Sequence, residues 1–194
     1  AGAGTARIVA GNANAPVIEA FGDPSAWPFR TAVLSGPPRS GKSLFARWFA
    51  ETAKGEAIDN ADTLDETELF HRWNRAQERA VPLLLVCDVP EGNWKIALPD
   101  LASRIGAALH LEIGAPDDAM LAALIAVHAE QRGLVLDEAA AQYLVPRCER
   151  SQLGVERLVM AIDRLRLERK QPPGMAIWRE ALEEITGVRQ PRLL

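Results

Sequence analysis

Cysteine is scarce in this sequence: the 194 residues include only two, Cys87 and Cys148. Two cysteines without a characteristic spacing form neither a disulfide framework nor a zinc motif, so we expect two free thiols in a reducing compartment. Long apolar runs are missing as well. No segment approaches the roughly 20 uninterrupted apolar residues of a membrane helix, which argues against a membrane protein.

The sequence also lacks an excess of charge of one sign. It has 22 Lys and Arg against 26 Asp and Glu, a formal charge of -4, which does not favour nucleic acid or an anionic membrane as a partner. The basic stretch at 164–170 is typical of the solvent-facing side of a helix, so we expect no direct sequence-specific DNA binding. Residues 1–10 lack the charged start and apolar centre of a signal peptide, which predicts a cytoplasmic protein.

A phosphate-binding pattern, GPPRSGKS, is present at 36–43. It follows a short apolar run at 31–35 and precedes a segment with helical spacing, which is the strand, loop and helix order that the motif requires. Gly36 and Gly41 allow the chain to curl so that the amides of 39–43 point at one site, and the following helix adds the positive end of its dipole. The plainer alternative is a turn with an exposed lysine.

Individual residues of this loop have predicted roles in binding a polyphosphate. Lys42 is expected to reach the outer phosphates. The Ser43 hydroxyl is expected to be a Mg²⁺ ligand, since Mg²⁺ keeps most of its waters and accepts few protein oxygens. The predicted phosphate-binding residues are Gly36, Arg39, Ser40, Gly41, Lys42, Ser43 and Leu44.

Strand and helix patterns alternate up to residue 114, which predicts an α/β core with a short parallel sheet. The strand at 56–59 is poor in apolar residues and is expected at an edge of the sheet, because central parallel strands are apolar on both faces. Trp73 is predicted to be a core residue, and Trp94 either an interface or a packing residue. The predicted strands are 31–35, 56–59, 83–87 and 108–113, and the helices are 43–53, 66–79 and 98–104.

Only helical periodicity follows Asp117, which predicts a small all-helical domain. We therefore expect an α/β nucleotide-binding core over 1–114 and a helical lid over 115–194, joined at a hinge. The hinge is expected at 114–116. The predicted lid helices are 118–131, 137–147, 151–170 and 176–185.

Several stretches together resemble the DnaA-type AAA+ proteins, and the Hda branch of that family in particular. The segment IVAGN at 8–12, which includes Val9, is similar to the adenine-pocket segment of the family. The resemblance covers nearly the whole chain and implies a P-loop AAA+ core with a lid, binding ADP or ATP with Mg²⁺. The other matching stretches are GPPRSGKS at 36–43, IDNAD at 58–62, LLVCD at 84–88 and LPDLASR at 98–104.

The resemblance implies catalytic roles for three residues. Asp59 matches the Walker B acid that positions Mg²⁺, and Asp88 falls at the sensor 1 position. Arg104 matches the arginine finger, which reaches the nucleotide of a neighbouring subunit and neutralises charge on the transferred phosphoryl group. Two plainer interpretations stay open: Asp59 as a helix-cap or turn residue, and Arg104 as a helix-end arginine paired with Asp100.

The sequence departs from the family pattern at two positions. Asn60 follows Asp59 where active members have an acid that orients water, and an amide cannot act as a base. Hydrolysis in cis is therefore expected to be slow, unless Asp62 substitutes. In the lid, Glu156 aligns with the sensor 2 arginine, and Arg157 lies one residue away, about 100° around a helix.

The resemblance leads to a hypothesis of a nucleotide-binding regulator that presents Arg104 to a DnaA-type initiator. One alternative is a self-assembling AAA+ ATPase such as a helicase loader, and another is a P-loop kinase for small molecules. QPRLL at 190–194 could bind a sliding clamp as an extended peptide, as could a trimmed N-terminus. A homodimer is left open.

Overall fold

The computed structural model describes residues 7–90 and 92–187. The chain divides into two compact units, an α/β unit that ends at Gly114 and a helical unit that begins at Ala115. Among the described helices, none combines the length and apolar character needed to cross a membrane. The residues at 190–194, to which clamp binding was assigned, lie outside the described residues.

The α/β unit contains four strands and four α-helices. The strands are β1 Thr31–Ser35, β2 Glu56–Ile58, β3 Leu83–Cys87 and β4 Leu109–Glu112. The helices are α1 Ala15–Ala20, α2 Lys42–Thr52, α3 Glu66–Glu78 and α4 Pro99–Gly106, with short 3-10 turns at Pro24–Ala26, Pro28–Arg30 and Ala61–Thr63. All strands pair in parallel, in the order β2-β3-β1-β4, which confirms the predicted four-stranded parallel sheet.

The position of each strand follows from its composition. Every residue of β1 and β3 is buried, and these two strands lie in the centre of the sheet. In β2 only Ile58 is buried, and the strand lies at one edge, paired with β3 alone. The prediction of a weakly apolar edge strand is confirmed.

Core packing fixes the helices on the sheet. Leu69 and Trp73 of α3 and Leu101 of α4 share one buried cluster with Val33 of β1 and alternate residues of β3. Trp73 is 4% exposed, as predicted for a core residue, and Trp94 is partly buried against the same cluster. This packing holds α3 and α4 against each other beside the sheet.

The helical unit contains α5 Asp118–Gln131, α6 Glu138–Leu144, α7 Gln152–Arg169 and α8 Met175–Thr186. Three of these helices begin after a side-chain cap: Asp117 accepts the Met120 amide, Asp137 the Ala140 amide and Ser151 the Gly154 amide, at 2.8–2.9 Å. Such caps satisfy amides that have no partner inside the helix. The span of α5 equals the predicted one, and the ends of the other three helices lie within three residues of the predicted ends.

Candidate nucleotide-binding site

The loop at 36–43 connects β1 to α2, and its two glycines are needed for different reasons. A Cβ on Gly36 would lie 3.1 Å from Ser40 Oγ and 3.2 Å from Ile113 Cβ, tighter than ordinary packing allows. Gly41 has φ +93°, in the left-handed region that favours glycine. Arg39 also has a positive φ, of 61°. The chain therefore curls tightly over the carboxyl end of β1.

The start of α2 is open to an anion. Gly41 occupies the N-cap position and has no side chain that could bind the first amides of the helix. The Phe45 amide donates to the Gly41 carbonyl at 3.1 Å, so the amides of Lys42, Ser43 and Leu44 precede the ladder of helical hydrogen bonds. Together with the helix dipole, these donors fit a phosphate group.

Lys42 is buried rather than exposed, with 6% of its surface accessible. Its Nζ atom donates to the carbonyls of Gly36 and Pro37, each at 2.6 Å, and lies 2.8 Å from Asp88 Oδ1. Lys42 therefore joins the loop to the residue that follows β3. The alternative of a turn with an exposed lysine does not fit this geometry.

The two predicted Mg²⁺ ligands are in contact. Ser43 Oγ donates to Asp59 Oδ2 at 2.6 Å, and Asp59 Oδ1 accepts the Asn60 amide at 3.1 Å. Asp59 directly follows β2, and the N-cap of the next 3-10 turn is Asn60. A hydroxyl beside a carboxylate suits Mg²⁺, which takes its remaining oxygens from water and phosphate. Over residues 7–90 and 92–187 there is no cluster of three His, Cys, Asp or Glu side chains that could hold a metal.

The segment that contains Val9 is shaped by an asparagine that the sequence analysis missed. Asn14 is 1% exposed; its Nδ2 donates to the Val9 carbonyl at 2.9 Å and its Oδ1 accepts the Gly11 amide at 3.0 Å. The Gly114 amide donates to the Ala13 carbonyl at 2.9 Å and so ties the segment to the end of β4. An asparagine just before a proline-containing helix start is a recognisable N-cap signal, which could have identified Asn14.

The predicted finger, Arg104, packs on aromatic rings. It lies in the last turn of α4, half-buried, with its Cζ 4.6 Å from the centroid of Trp73 and 5.3 Å from that of Phe70. The alternative interpretation of Arg104 was an ion pair with Asp100. Among the described residues, Asp100 forms no ion pair with Arg104, and the aromatic contacts take its place.

The predicted lid residue Arg157 lies on α7 of the helical unit, and its side chain is exposed. Glu156, at the position aligned with a sensor 2 arginine, is half-buried. The exposed side chain of Arg157 is available to bind an anion, and its role in nucleotide binding stays a prediction.

Burial and nearby carboxylates suppress ionisation of the thiol at the end of β3. The pKa of Cys87 is raised from 9.0 to about 11, mainly by burial of the thiol and in part by the carboxylate of Asp62. The thiol is therefore neutral at physiological pH and unsuited to be a nucleophile. Asp62 lies in the 3-10 turn Ala61–Thr63, which packs against β3.

The sequence matches no protein-family profile. Solved structures do resemble the chain: domain III of the replication initiation protein DnaA from Thermotoga maritima has a TM-score of 0.74 at 13% identity, with 95% of each chain covered. DnaA from Aquifex aeolicus bound to AMPPCP has a TM-score of 0.66 at 16% identity, covering 84% of this chain and 67% of that one. The RuvB Holliday junction branch migration motor from Thermotoga maritima has a TM-score of 0.60 at 19% identity, covering 79% and 61%.

At these identities the similarity defines the architecture. The α/β unit carries a P-loop on a parallel sheet, and a helical unit follows it in the chain. The chain has the AAA+ fold seen in DnaA and RuvB.

Proposed function

We propose that this protein is an adenine-nucleotide-binding regulator of bacterial replication initiation, of the Hda type. It binds ADP or ATP with Mg²⁺ at the loop 36–43. It presents Arg104 to the ATP of a DnaA-type initiator, promoting hydrolysis of that ATP and inactivation of the initiator.

The observation that carries the proposal is the convergence of complementary groups where three parallel strands end. Lys42 Nζ and Asp88 Oδ1 are 2.8 Å apart, and Ser43 Oγ and Asp59 Oδ2 are 2.6 Å apart. Ligands of open α/β sheets bind at the carboxyl ends of the strands, where these groups lie. The AMPPCP-bound DnaA with the same fold supports a nucleotide as the ligand.

The residues at the start of α2 and Asp59 have separate roles in binding the phosphates and Mg²⁺. The amides at the start of α2 bind the phosphate oxygens, and Lys42 exchanges its loop carbonyls for them. Ser43 and Asp59 would hold Mg²⁺, which neutralises phosphate charge when bound. Asn60 supplies no general base, so nucleotide bound here acts as a structural ligand with slow hydrolysis in cis.

Arg104 acts on a different molecule in this proposal. A guanidinium stacked on aromatic rings through its face keeps its N–H donors at the edge of the plane, in a geometry that matches phosphate oxygens. It would therefore neutralise the charge that develops on the phosphoryl group of the initiator's ATP. The resemblance of LPDLASR at 98–104 to the family segment supports this role.

The test uses an initiator loaded with ATP, a sliding clamp on DNA and this protein. We expect the wild-type protein to accelerate hydrolysis, and Arg104→Ala to reduce the acceleration by about 1,000-fold or more, the scale on which arginine fingers act. Arg79→Ala removes an exposed arginine at the end of α3 and is the matched control. No acceleration by the wild-type protein, or equal acceleration by Arg104→Ala, contradicts the proposal.

The partner set of the proposal includes the sliding clamp, through QPRLL at 190–194. A pull-down compares the full chain with a chain that lacks these five residues. Unchanged clamp binding removes this part of the proposal and leaves the nucleotide and finger roles untouched.

The second candidate is a self-assembling AAA+ ATPase, and the shared fold with the RuvB motor favours it. Asp62, whose carboxylate acts near the end of β3, is the residue that would then orient water. The pure protein would hydrolyse ATP, and Lys42→Ala would abolish that activity. The small-molecule kinase alternative loses support because a separate helical unit follows the α/β unit in the chain.

A further inference from the structure

Three residues on one stripe of α3 contact the segment that carries Arg104. Glu66, Phe70 and Trp73 are four and three residues apart, a spacing that places them on one face of a helix. Glu66 contacts the start of α4, and the two aromatic residues contact Arg104 near its end. One helix therefore holds α4 at both ends.

Glu66 fixes where α4 begins. Its Oε1 accepts the Ala97 amide at 2.7 Å and its Oε2 accepts the Leu98 amide at 3.0 Å. Leu98 is the N-cap of α4, and Pro99 follows at the first helical position. A carboxylate at a helix N-terminus is favoured by the helix dipole, and two hydrogen bonds from one carboxylate set the direction of the chain.

Phe70 and Trp73 fix where Arg104 points. Trp73 is 4% exposed, so its ring cannot turn away, and Phe70 is half-buried beside it. Arginine has many rotamers, and stacking on a fixed ring restricts them while leaving the N–H donors available. Among the described residues, no carboxylate forms an ion pair with Arg104, so the edge of the guanidinium is available to an anion.

We infer that Glu66, Phe70 and Trp73 are positioning residues for the finger. They hold the guanidinium of Arg104 with its N–H edge directed away from the fold, ready for the phosphate group of a nucleotide on a neighbouring molecule. The inference rests on the proposed function, since it names the residues that make Arg104 effective. Holding the group in place before the encounter removes an ordering cost from the chemical step.

The experiment measures hydrolysis of initiator-bound ATP at increasing concentrations of this protein. Phe70→Leu is expected to lower the maximal rate about fivefold and to leave the half-saturating concentration within about twofold, because the finger is misplaced while the partner surface is kept. Phe70→Tyr keeps a ring under the guanidinium and is expected to restore the rate. Phe29→Leu is the matched control, since Phe29 contacts Trp73 but not Arg104.

Glu66→Gln tests the contact at the start of α4. It is expected to lower the maximal rate about threefold, because a neutral amide offers only one oxygen to two amides and no charge to the helix dipole. Glu68→Gln changes an exposed carboxylate in the same helical turn and is expected to have no effect. A wild-type maximal rate for both Phe70→Leu and Glu66→Gln, where Arg104→Ala is inactive, overturns the inference.

A second measurement separates this inference from the proposed function. If the wild-type protein does not accelerate hydrolysis, the proposed function fails, and a stability cycle of Arg104→Ala and Phe70→Leu still tests the contact by urea unfolding. We expect the double variant to be less destabilised than the sum of the two single changes. Additive changes contradict the stacked arrangement and overturn the inference as well.

Discussion

The backbone amides at the start of α2 and those just before α4 have different partners. At α2 the N-cap is Gly41, which leaves the amides of the first turn open. At α4 the amides of Ala97 and Leu98 are occupied by the carboxylate of Glu66. The amides at the start of α2 are therefore available to an anionic ligand, whereas those of Ala97 and Leu98 already have a carboxylate partner.

The largest effect on nucleotide affinity is expected at the start of α2. Lys42→Ala removes the one buried ammonium of the loop, and we expect the affinity for Mg²⁺-ADP to fall about 100-fold, as for loss of a charged hydrogen bond to phosphate. Isothermal titration calorimetry measures the change. Lys95→Ala removes an exposed lysine of the same unit as the control, and an affinity for Lys42→Ala within threefold of wild type rules out phosphate binding by Lys42.

At α4, where Glu66 binds the amides, a substitution is expected to change the stability of the fold and not the affinity for nucleotide. Glu66→Ala leaves the amides of Ala97 and Leu98 to water and should cost about 1 kcal/mol of unfolding free energy, with nucleotide affinity unchanged. Urea unfolding gives the first quantity and calorimetry the second. Glu68→Ala is the control, and a loss of nucleotide affinity in Glu66→Ala would erase the distinction between the two helices.

An effect smaller than that of Lys42→Ala distinguishes the metal-binding part of the site from the phosphate-binding part. Asp59→Asn removes the carboxylate that contacts Ser43. We expect it to abolish most of the increase in ADP affinity that Mg²⁺ causes, about tenfold, because an amide is a poor Mg²⁺ ligand. Affinity without Mg²⁺ should be kept. Asp100→Asn serves as the control, and an undiminished Mg²⁺ effect in Asp59→Asn assigns the metal to other oxygens.

Asp88 is the one acid that pairs with the loop lysine among the described residues. Asp88→Asn removes a competitor for Lys42 and a negative charge close to the phosphate site. We expect nucleotide affinity to rise about threefold to tenfold, the scale of one partly screened charge contact. Weaker binding by Asp88→Asn instead indicates that the carboxylate orients Lys42 for the nucleotide.

The smallest effect concerns the reactivity of the Cys87 thiol. Cys87 ends β3 and belongs to neither helix start. With its pKa raised to about 11, Cys87 should react with iodoacetamide at pH 7.5 only after the half-buried Cys148. The unfolded chain releases the Cys87 proton first, so this group makes the fold less stable as the pH rises from 9.0 toward about 11. Peptide mass spectrometry after timed labelling measures the order, and faster labelling of Cys87 contradicts its burial.

The sequence predicts the phosphate-binding start of α2 well, but it does not predict the contacts that hold α4. The loop at 36–43 has glycines and a lysine at fixed offsets, and the edge position of β2 follows from its few apolar residues. The contacts of Glu66 join residues 31 and 32 positions apart, and no local pattern indicates them. The aromatic contacts of Arg104 likewise depend on how α3 packs on α4. Such contacts become visible only when tertiary packing is known.

Amide chemical shifts test the comparison most directly. Titration of the isotope-labelled protein with Mg²⁺-ADP is predicted to shift the amide signals of Lys42, Ser43 and Leu44 strongly, because they bind phosphate oxygens. The signals of Ala97 and Leu98 are predicted to keep their positions, because Glu66 already binds these amides. Unchanged signals at 42–44, or shifts centred on Ala97 and Leu98, would contradict the account.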